Sequence, residues 1–260
     1  MKRAIFYTIM LAALQISVGA IVMVIWNLVM GEDPNPKSNI TCTIVTLTAV
    51  SIVTAAVFLL TKWTVVSPNW IRTRPWAVIC WSAVAALGLL IPSLWVEEMM
   101  PELPNTAEEA FIGLVSTPWG YLVIGLMAPF VEELVMRGAV LRSLLKWHNN
   151  HWVGIAISAA LFALIHMNPA QMPHAFVVGL LLGWMYYRTG SIIPGVVYHW
   201  VNNSVAFAVG HIAIALDPAG KGDVTLIQLF NSEPRVLMAV AFSIMMLLPA
   251  LYQLNLRMKK

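Results

Sequence analysis

The chain consists of long apolar runs separated by short polar segments. Eight of these runs approach or exceed the roughly 20 residues that a helix needs to cross about 30 Å of hydrocarbon. They cover residues 4–30, 40–61, 76–96, 119–145, 152–167, 174–187, 191–212 and 236–256. The pattern predicts an all-α, polytopic membrane protein with about eight transmembrane helices. The fifth and sixth runs are short, so a re-entrant pair buried by its neighbours is an alternative for them.

The composition supports a membrane location, because 60% of the residues are hydrophobic and only 10% are charged. A soluble domain of 260 residues carries a much larger share of charged side chains. The first apolar run follows Lys2 and Arg3 as a signal peptide would, but it is about twice as long as a signal core and lacks a clear cleavage site. We therefore expect it to be a retained helix. Residues 1–260 are expected to form a single membrane domain, and the sequence leaves the oligomeric state open.

The charges at the ends of the runs predict an orientation. With the N-terminus inside and an even number of helices, the inner segments contain eleven basic residues: Lys2, Arg3, Lys62, Arg72, Arg74, Arg142, Lys146, Arg188, Arg257, Lys259 and Lys260. The outer segments contain three: Lys37, Lys221 and Arg235. This positive-inside bias predicts that both termini are cytoplasmic. The net charge of +3 arises mostly from the inner loops, which indicates contact with an anionic lipid leaflet and gives no case for nucleic-acid binding.

One polar segment between the runs, residues 97–118, is acidic and contains several prolines. Within it, Thr106 is followed three residues later by Glu109 and then by apolar residues, which is typical of a helix N-terminal capping box. We expect a short helix at the outer surface.

The fourth run carries ionisable residues where none is expected. Glu132, Glu133 and Arg137 lie within six residues in its middle, and each such group costs roughly 2.5–3.5 kcal/mol on insertion scales. Glu133 and Arg137 are four residues apart, so they share a helix face and can form an ion pair, while Glu132 points about 100° away. Pro129 removes a backbone hydrogen bond just before them and predicts a local opening of the helix. Glu132 is therefore free for chemistry, although one buried structural network of all three charges is an alternative.

Two later runs each carry a polar pair at helical spacing. Phe162 precedes His166 by four residues, and His199 precedes Asn203 by four. At about 1.5 Å per residue from the presumed cytoplasmic ends, Glu132 and His166 lie roughly 21 Å deep, and His199 and Asn203 roughly 12 and 18 Å deep. A single membrane histidine is usually a packing residue, but this convergence in depth favours a common site. Four other histidines are not assigned to it: His148, His151, His174 and His211.

The three motifs, in this order across successive helices, resemble those of the CAAX protease and bacteriocin-processing enzyme family, also called the Abi family. They read Glu132-Glu133-x-x-x-Arg137, Phe162-x-x-x-His166 and His199-x-x-x-Asn203. The resemblance covers about residues 119–212, which would be the catalytic core helices.

The resemblance implies an intramembrane glutamic endopeptidase. It makes Glu132 and His166 the pair that activates water, His199 and Asn203 the stabilisers of the oxyanion, and Glu133 and Arg137 the residues that hold the shape of the site. This agrees with what peptide hydrolysis requires, namely a base for water and donors to the carbonyl oxygen. The implied substrate is a membrane-associated or lipidated protein or peptide, cleaved near its end.

Two alternatives remain open at this point. The carboxylates and imidazoles of the site can supply ligands to a zinc ion, although no His-Glu-x-x-His helix is present and we expect no cofactor. A membrane scaffold or transporter would use the same polar groups to join helices or line a path. The charge bias and the lack of targeting signals favour the plasma membrane of a prokaryote.

Overall fold

The computed structural model describes residues 1–35, 39–67, 75–216 and 225–258. Within these ranges the regular secondary structure is entirely helical. The helices, numbered here α1 to α10, are Lys2–Met30, Ile40–Leu60, Trp76–Glu98, Glu108–Val115, Pro118–Trp147, His151–Ile165, Met172–Thr189, Ile193–Leu216, Leu226–Phe230 and Glu233–Arg257. The all-α prediction is therefore confirmed for the described residues.

The helix ends follow from local sequence. Asn39 and Asn150 cap α2 and α6, because each side chain accepts a hydrogen bond from a backbone N–H of the first turn. Thr117 does the same for α5, with Pro118 at the first helical position. At the other end, Gly31 and Gly190 terminate α1 and α7 in the left-handed conformation, with φ of 68° and 66°.

Five of the described helices are long and apolar enough to cross a membrane: α1, α2, α3, α5 and α10. Large apolar side chains such as Ile16, Leu28 and Met245 point outward from them, with 70%, 76% and 66% of their surface exposed, as expected for contact with lipid. The chain is thus a multi-pass integral membrane protein. The helix α6 has only 15 residues, and the eight-span count, the orientation and the single domain stay predictions.

Several of the charges used for the orientation lie outside the described residues. These are Lys37, Arg72, Arg74, Lys221, Lys259 and Lys260.

The helix α5 lies at the centre of the fold. Its residues Leu134, Val135 and Met136 are fully buried, as are Ala139, Val140 and Leu141. Two parts of α5, Leu122–Met127 and Met136–Leu141, are π-helical. Such wide turns change the direction of the side chains that follow, and they are frequent at functional sites. Around α5, the helix α3 packs against α10 and α8, α6 against α7, and α1 against α2.

The acidic segment 97–118 contains the predicted short helix, α4, but the capping box is wrong. The N-cap residue is Ala107, whose side chain makes no capping hydrogen bond. Thr106 is held elsewhere, because its N–H donates to Asn168 Oδ1 at 3.0 Å and its hydroxyl donates to the carbonyl of Met167 at 3.3 Å. A tertiary contact with the α6–α7 connection has therefore replaced the local cap.

Candidate active site

The predicted ion pair is present in the middle of α5. Arg137 Nη1 lies 2.6 Å from Glu133 Oε1, and both side chains are fully buried. Arg137 Nη2 also donates to the carbonyl of Gly179 on α7 at 3.2 Å, and the guanidinium stands 4.3 Å from the centre of the Phe162 ring. A guanidinium over an aromatic face is a favourable arrangement in a desolvated site. The pair thus joins α5 to α6 and α7.

Glu132 faces away from this pair, toward two imidazoles. Its Oε2 lies 4.0 Å from His166 Nε2 and 3.9 Å from His199 Nε2. The Glu132 side chain keeps 24% of its surface accessible, whereas Glu133 is fully enclosed. The structure therefore brings together three residues from three helical segments, with two imidazoles facing the more accessible of the two adjacent carboxylates.

His166 follows the last residue of α6, and its ring orientation is defined by the backbone. Its Nδ1 is 2.7 Å from the carbonyl oxygen of Phe162. Because a carbonyl oxygen only accepts hydrogen bonds, Nδ1 carries the proton. In the neutral ring Nε2 is then an acceptor, and this is the nitrogen that faces Glu132.

His199 is buried between the two carboxylates. Its Nδ1 is 3.5 Å from Glu133 Oε1, and its Nε2 is 3.9 Å from Glu132 Oε2. The Phe162 ring meets both imidazoles edge-on, at centroid distances of 4.9 Å for His166 and 5.7 Å for His199. Phe162 therefore fixes the spacing of the two histidines, while Glu133 favours a proton on Nδ1 of His199.

A close approach of the backbone gives Glu133 its place. A Cβ atom at residue 195, at the start of α8, would lie only 2.6 Å from Glu133 Oε2. Gly195 lies four residues before His199, and its lack of a side chain allows the Glu133 carboxylate to pack against α8.

Asn203 lies four residues after His199 on α8 and is hydrogen-bonded to α5. Its Nδ2 donates to the carbonyl of Ile124 at 3.0 Å. In the preceding π-helical turn, the N–H of Ala128 donates to the carbonyl five residues back, on Val123. Continuing that pattern, residue 129 would donate to Ile124, but Pro129 has no N–H. Pro129 thus leaves the carbonyl oxygen of Ile124 without its backbone donor, as the predicted local opening implies. The side chain of Asn203 donates to this oxygen instead.

Sequence reasoning missed a second polar group beside Asn203. Asn202 Nδ2 is 3.4 Å from Asn203 Oδ1, and the imidazole of His174 approaches the Asn202 amide and interacts electrostatically with His166 and His199. His174 Nδ1 lies 3.0 Å from Ser93 Oγ on α3. His174 therefore adjoins the site, although the sequence did not assign it there.

The carboxylate of Glu97 completes this second group, with Oε1 4.0 Å from His174 Nδ1. The sequence contains a signal for this group, because Ser93 and Glu97 are four residues apart on a mostly apolar helix and so share one face.

Unsatisfied polar atoms mark the same region. Within the described residues, eight buried side-chain nitrogen or oxygen atoms lack a hydrogen-bond partner. Six of the eight belong to this region, on Glu97, Glu132, Glu133, Arg137, His199 and Asn202. Because native proteins normally satisfy buried polar groups, such a concentration indicates a functional site.

The donors near Glu132 do not form an evident metal centre. In the part of the chain that the structure describes, no three His, Cys, Asp or Glu residues are grouped so that they could hold a metal ion.

Comparison with known families agrees with the motifs. Residues 114–205 match the family model described as Rce1-like, type II CAAX prenyl endopeptidase Rce1-like. The matched segment contains every predicted site residue, from Glu132 to Asn203, and it confirms the family resemblance. No curated protein and no solved structure matches the chain.

Proposed function

We propose that the chain is an intramembrane endopeptidase that hydrolyses a peptide bond near the end of a membrane-associated or lipidated protein or peptide. The family match supports a CAAX-type intramembrane protease in general. One observation carries the more specific proposal: the Glu132 carboxylate lies about equally far from two imidazoles, at 4.0 and 3.9 Å. These separations are too long for direct hydrogen bonds, and they suit side chains that are bridged by one water molecule.

In this proposal Glu132 and His166 activate the attacking water. Glu132 Oε2 and the unprotonated Nε2 of His166 are both acceptors, so a water between them donates one hydrogen to each. Glu132 takes a proton as the hydroxyl attacks the carbonyl carbon, and the same proton, directly or through His166, reaches the leaving amine. Such a general base typically contributes about 10²–10⁴-fold to the rate.

His199 and Asn203 stabilise the negative charge on the carbonyl oxygen. His199 Nε2 faces Glu132 while Nδ1 faces Glu133, so a ring that carries a proton on both nitrogens donates to the oxyanion through Nε2. Asn203 Nδ2 uses one hydrogen for the carbonyl of Ile124, so its second hydrogen remains for the oxyanion. One donor of this kind is typically worth about 2.7–4 kcal/mol.

Glu133, Arg137 and Phe162 support the site without contacting the reacting atoms. Removing one partner of a buried ion pair lowers the free energy of unfolding by about 3–5 kcal/mol. The pair thereby holds the Glu133 carboxylate 3.5 Å from His199 Nδ1. Phe162 packs against the Arg137 guanidinium and against both imidazoles. The positions of the two histidines therefore depend on the position of the Glu133–Arg137 pair.

The setting of the site agrees with a substrate that arrives through the membrane. Glu132 lies in the middle of a candidate membrane span, Pro118–Trp147, and a bond held there meets only a confined pool of water. We propose the plasma membrane of a prokaryote as the location and a membrane-associated protein or peptide as the partner.

The test compares cells that carry the wild-type chain with cells that carry Glu132→Gln, by profiling the terminal peptides of their membrane proteins. Glutamine keeps the size of the side chain and removes the base. We expect a set of new termini in wild-type membranes that is absent with Glu132→Gln. Glu102→Gln, which neutralises an exposed acidic residue of segment 97–118, is the matched control and should give the wild-type termini.

The same comparison separates the protease from a scaffold or transporter. If Glu132→Gln membranes show the same termini as wild type at equal protein abundance, the hydrolase proposal is wrong and a structural role is favoured.

A further inference from the structure

A basic cavity lies away from the site, between the start of α1 and the end of α5. Its volume is about 310 Å³, and four of its lining residues are basic: Lys2, Arg3, Arg142 and Lys146. Among the described residues, none of those that line it is acidic. Four like charges around one space repel one another, and an anion between them relieves that repulsion. The cavity is therefore suited to an anion.

The helix ends increase this preference at α1. The first turn of α1 contains no acidic residue, and Met1, its N-cap residue, makes no side-chain capping bond. The N-terminal end of a helix carries a partial positive charge and free N–H groups. Lys2 and Arg3 add to that charge, whereas Lys146 in the last turn of α5 offsets the partial negative charge there. The uncompensated charge thus lies on the α1 side of the cavity.

The ends of the membrane spans indicate where the anion comes from. Both α1 and α5 are candidate spans, so a cavity between their ends lies at the level of lipid headgroups. Trp147 lines the cavity with 46% of its surface exposed, and tryptophan is enriched at membrane–water interfaces. Basic pockets between transmembrane helices commonly bind the headgroups of acidic lipids.

We propose that this cavity binds the phosphate-bearing headgroup of an anionic phospholipid. Arg142 already donates Nη2 to the carbonyl of Trp63 at 3.1 Å, which holds its guanidinium in place and leaves other N–H groups for the phosphate. Lys2 and Lys146 are exposed and approach the headgroup as flexible point charges from the two helices.

Headgroup binding in the basic cavity would affect α5. Arg142 directly follows the second π-helical part, Met136–Leu141, in the same helix as the Glu132 carboxylate. A bound headgroup would join the end of α5 to α1 and so stabilise the fold around the catalytic helix. This inference does not depend on the proposed peptidase activity, because binding is measured without substrate.

The test uses the full chain, purified in a zwitterionic detergent and titrated with short-chain dihexanoyl-phosphatidylglycerol, with the thermal unfolding midpoint and tryptophan fluorescence as readouts. We expect saturable stabilisation that dihexanoyl-phosphatidylcholine does not give. The double variant K2Q/K146Q removes two charges without touching the Arg142 hydrogen bond, and it should bind about thirtyfold more weakly. The control R235Q/R257Q removes two exposed charges elsewhere and should bind as wild type does.

Two further probes identify the source of the anion and guard against misfolding. Inorganic phosphate and glycerol phosphate should stabilise much less than phosphatidylglycerol; equal stabilisation would overturn the lipid assignment. K2R/K146R keeps both charges and should restore binding. The inference is also overturned if phosphatidylcholine protects equally, or if K2Q/K146Q, unfolding at the wild-type midpoint without lipid, binds phosphatidylglycerol with wild-type affinity.

Discussion

Gly195→Ala tests whether the close contact between α8 and Glu133 holds the site together. The added Cβ would lie 2.6 Å from Glu133 Oε2, where ordinary contacts begin at 3.4 Å, so the carboxylate must retreat by about 0.8 Å. If the Arg137–Glu133 distance of 2.6 Å lengthened by that amount, the attraction would weaken by about 1.5 kcal/mol at an effective dielectric constant of about 20. Overpacking of a protein interior typically lowers the free energy of unfolding by about 1–3 kcal/mol in total, a range that includes this loss. We expect the free energy of unfolding to fall by about 1–3 kcal/mol.

The assay is reversible unfolding of the purified protein in mixed micelles, and Gly154→Ala is the matched control. Gly154 is also buried in a helix, but a Cβ there would meet its nearest neighbours at 3.5 Å, an ordinary contact. This control should change stability little. Glu133→Asp shortens the carboxylate, so the double variant G195A/E133D should be more stable than the sum of the single effects predicts, by about 0.5–3 kcal/mol. Strict additivity, or equal effects of G195A and G154A, would refute the contact as the cause.

Three further predictions concern Pro129, the asparagines and metal dependence. Pro129→Ala restores an N–H that competes with Asn203 for the carbonyl of Ile124; cleavage should slow at least about tenfold without loss of stability, and unchanged cleavage would contradict the role given to the open turn. Asn203→Ala should lower kcat by about 10²–10³ and Asn202→Ala by less than about tenfold, since only Asn203 is assigned to the oxyanion; equal losses would argue against that assignment. Treatment with 1,10-phenanthroline should leave cleavage unchanged, whereas inhibition reversed by added zinc would favour the metalloprotease alternative.

The positions of the helices were predictable because lipid demands long apolar runs. Each of the eight predicted runs coincides with a described helix whose ends lie within four residues of the prediction. The number of these helices that cross the bilayer is a different question, since α6 is short and α7 and α8 carry several polar residues. Hydropathy alone does not decide it. The capping box predicted at Thr106 was wrong because of a tertiary contact. The Thr106 N–H donates to Asn168 Oδ1, and a local sequence pattern does not reveal such a partner.

The candidate site was predictable where spacing along one helix decides the contact. The Glu133–Arg137 pair and the separate direction of Glu132 follow from 3.6 residues per turn. Contacts between helices were not predictable in this way. The approach of Gly195 to Glu133, the bond from Asn203 to Ile124 and the placement of His174 all depend on how α3, α5, α7 and α8 pack. The π-helical turns, which set that packing along α5, have no simple sequence period.

The most direct test of the account is the turnover of a peptide, identified from the terminal profiles, by the purified chain in lipid nanodiscs. We predict that Glu132→Gln lowers kcat by about 10²–10⁴ at an unchanged unfolding midpoint, while Glu102→Gln keeps the wild-type rate. A Glu132→Gln protein that retains more than about a tenth of wild-type turnover would show that this carboxylate is not the base, and the proposed mechanism would be wrong.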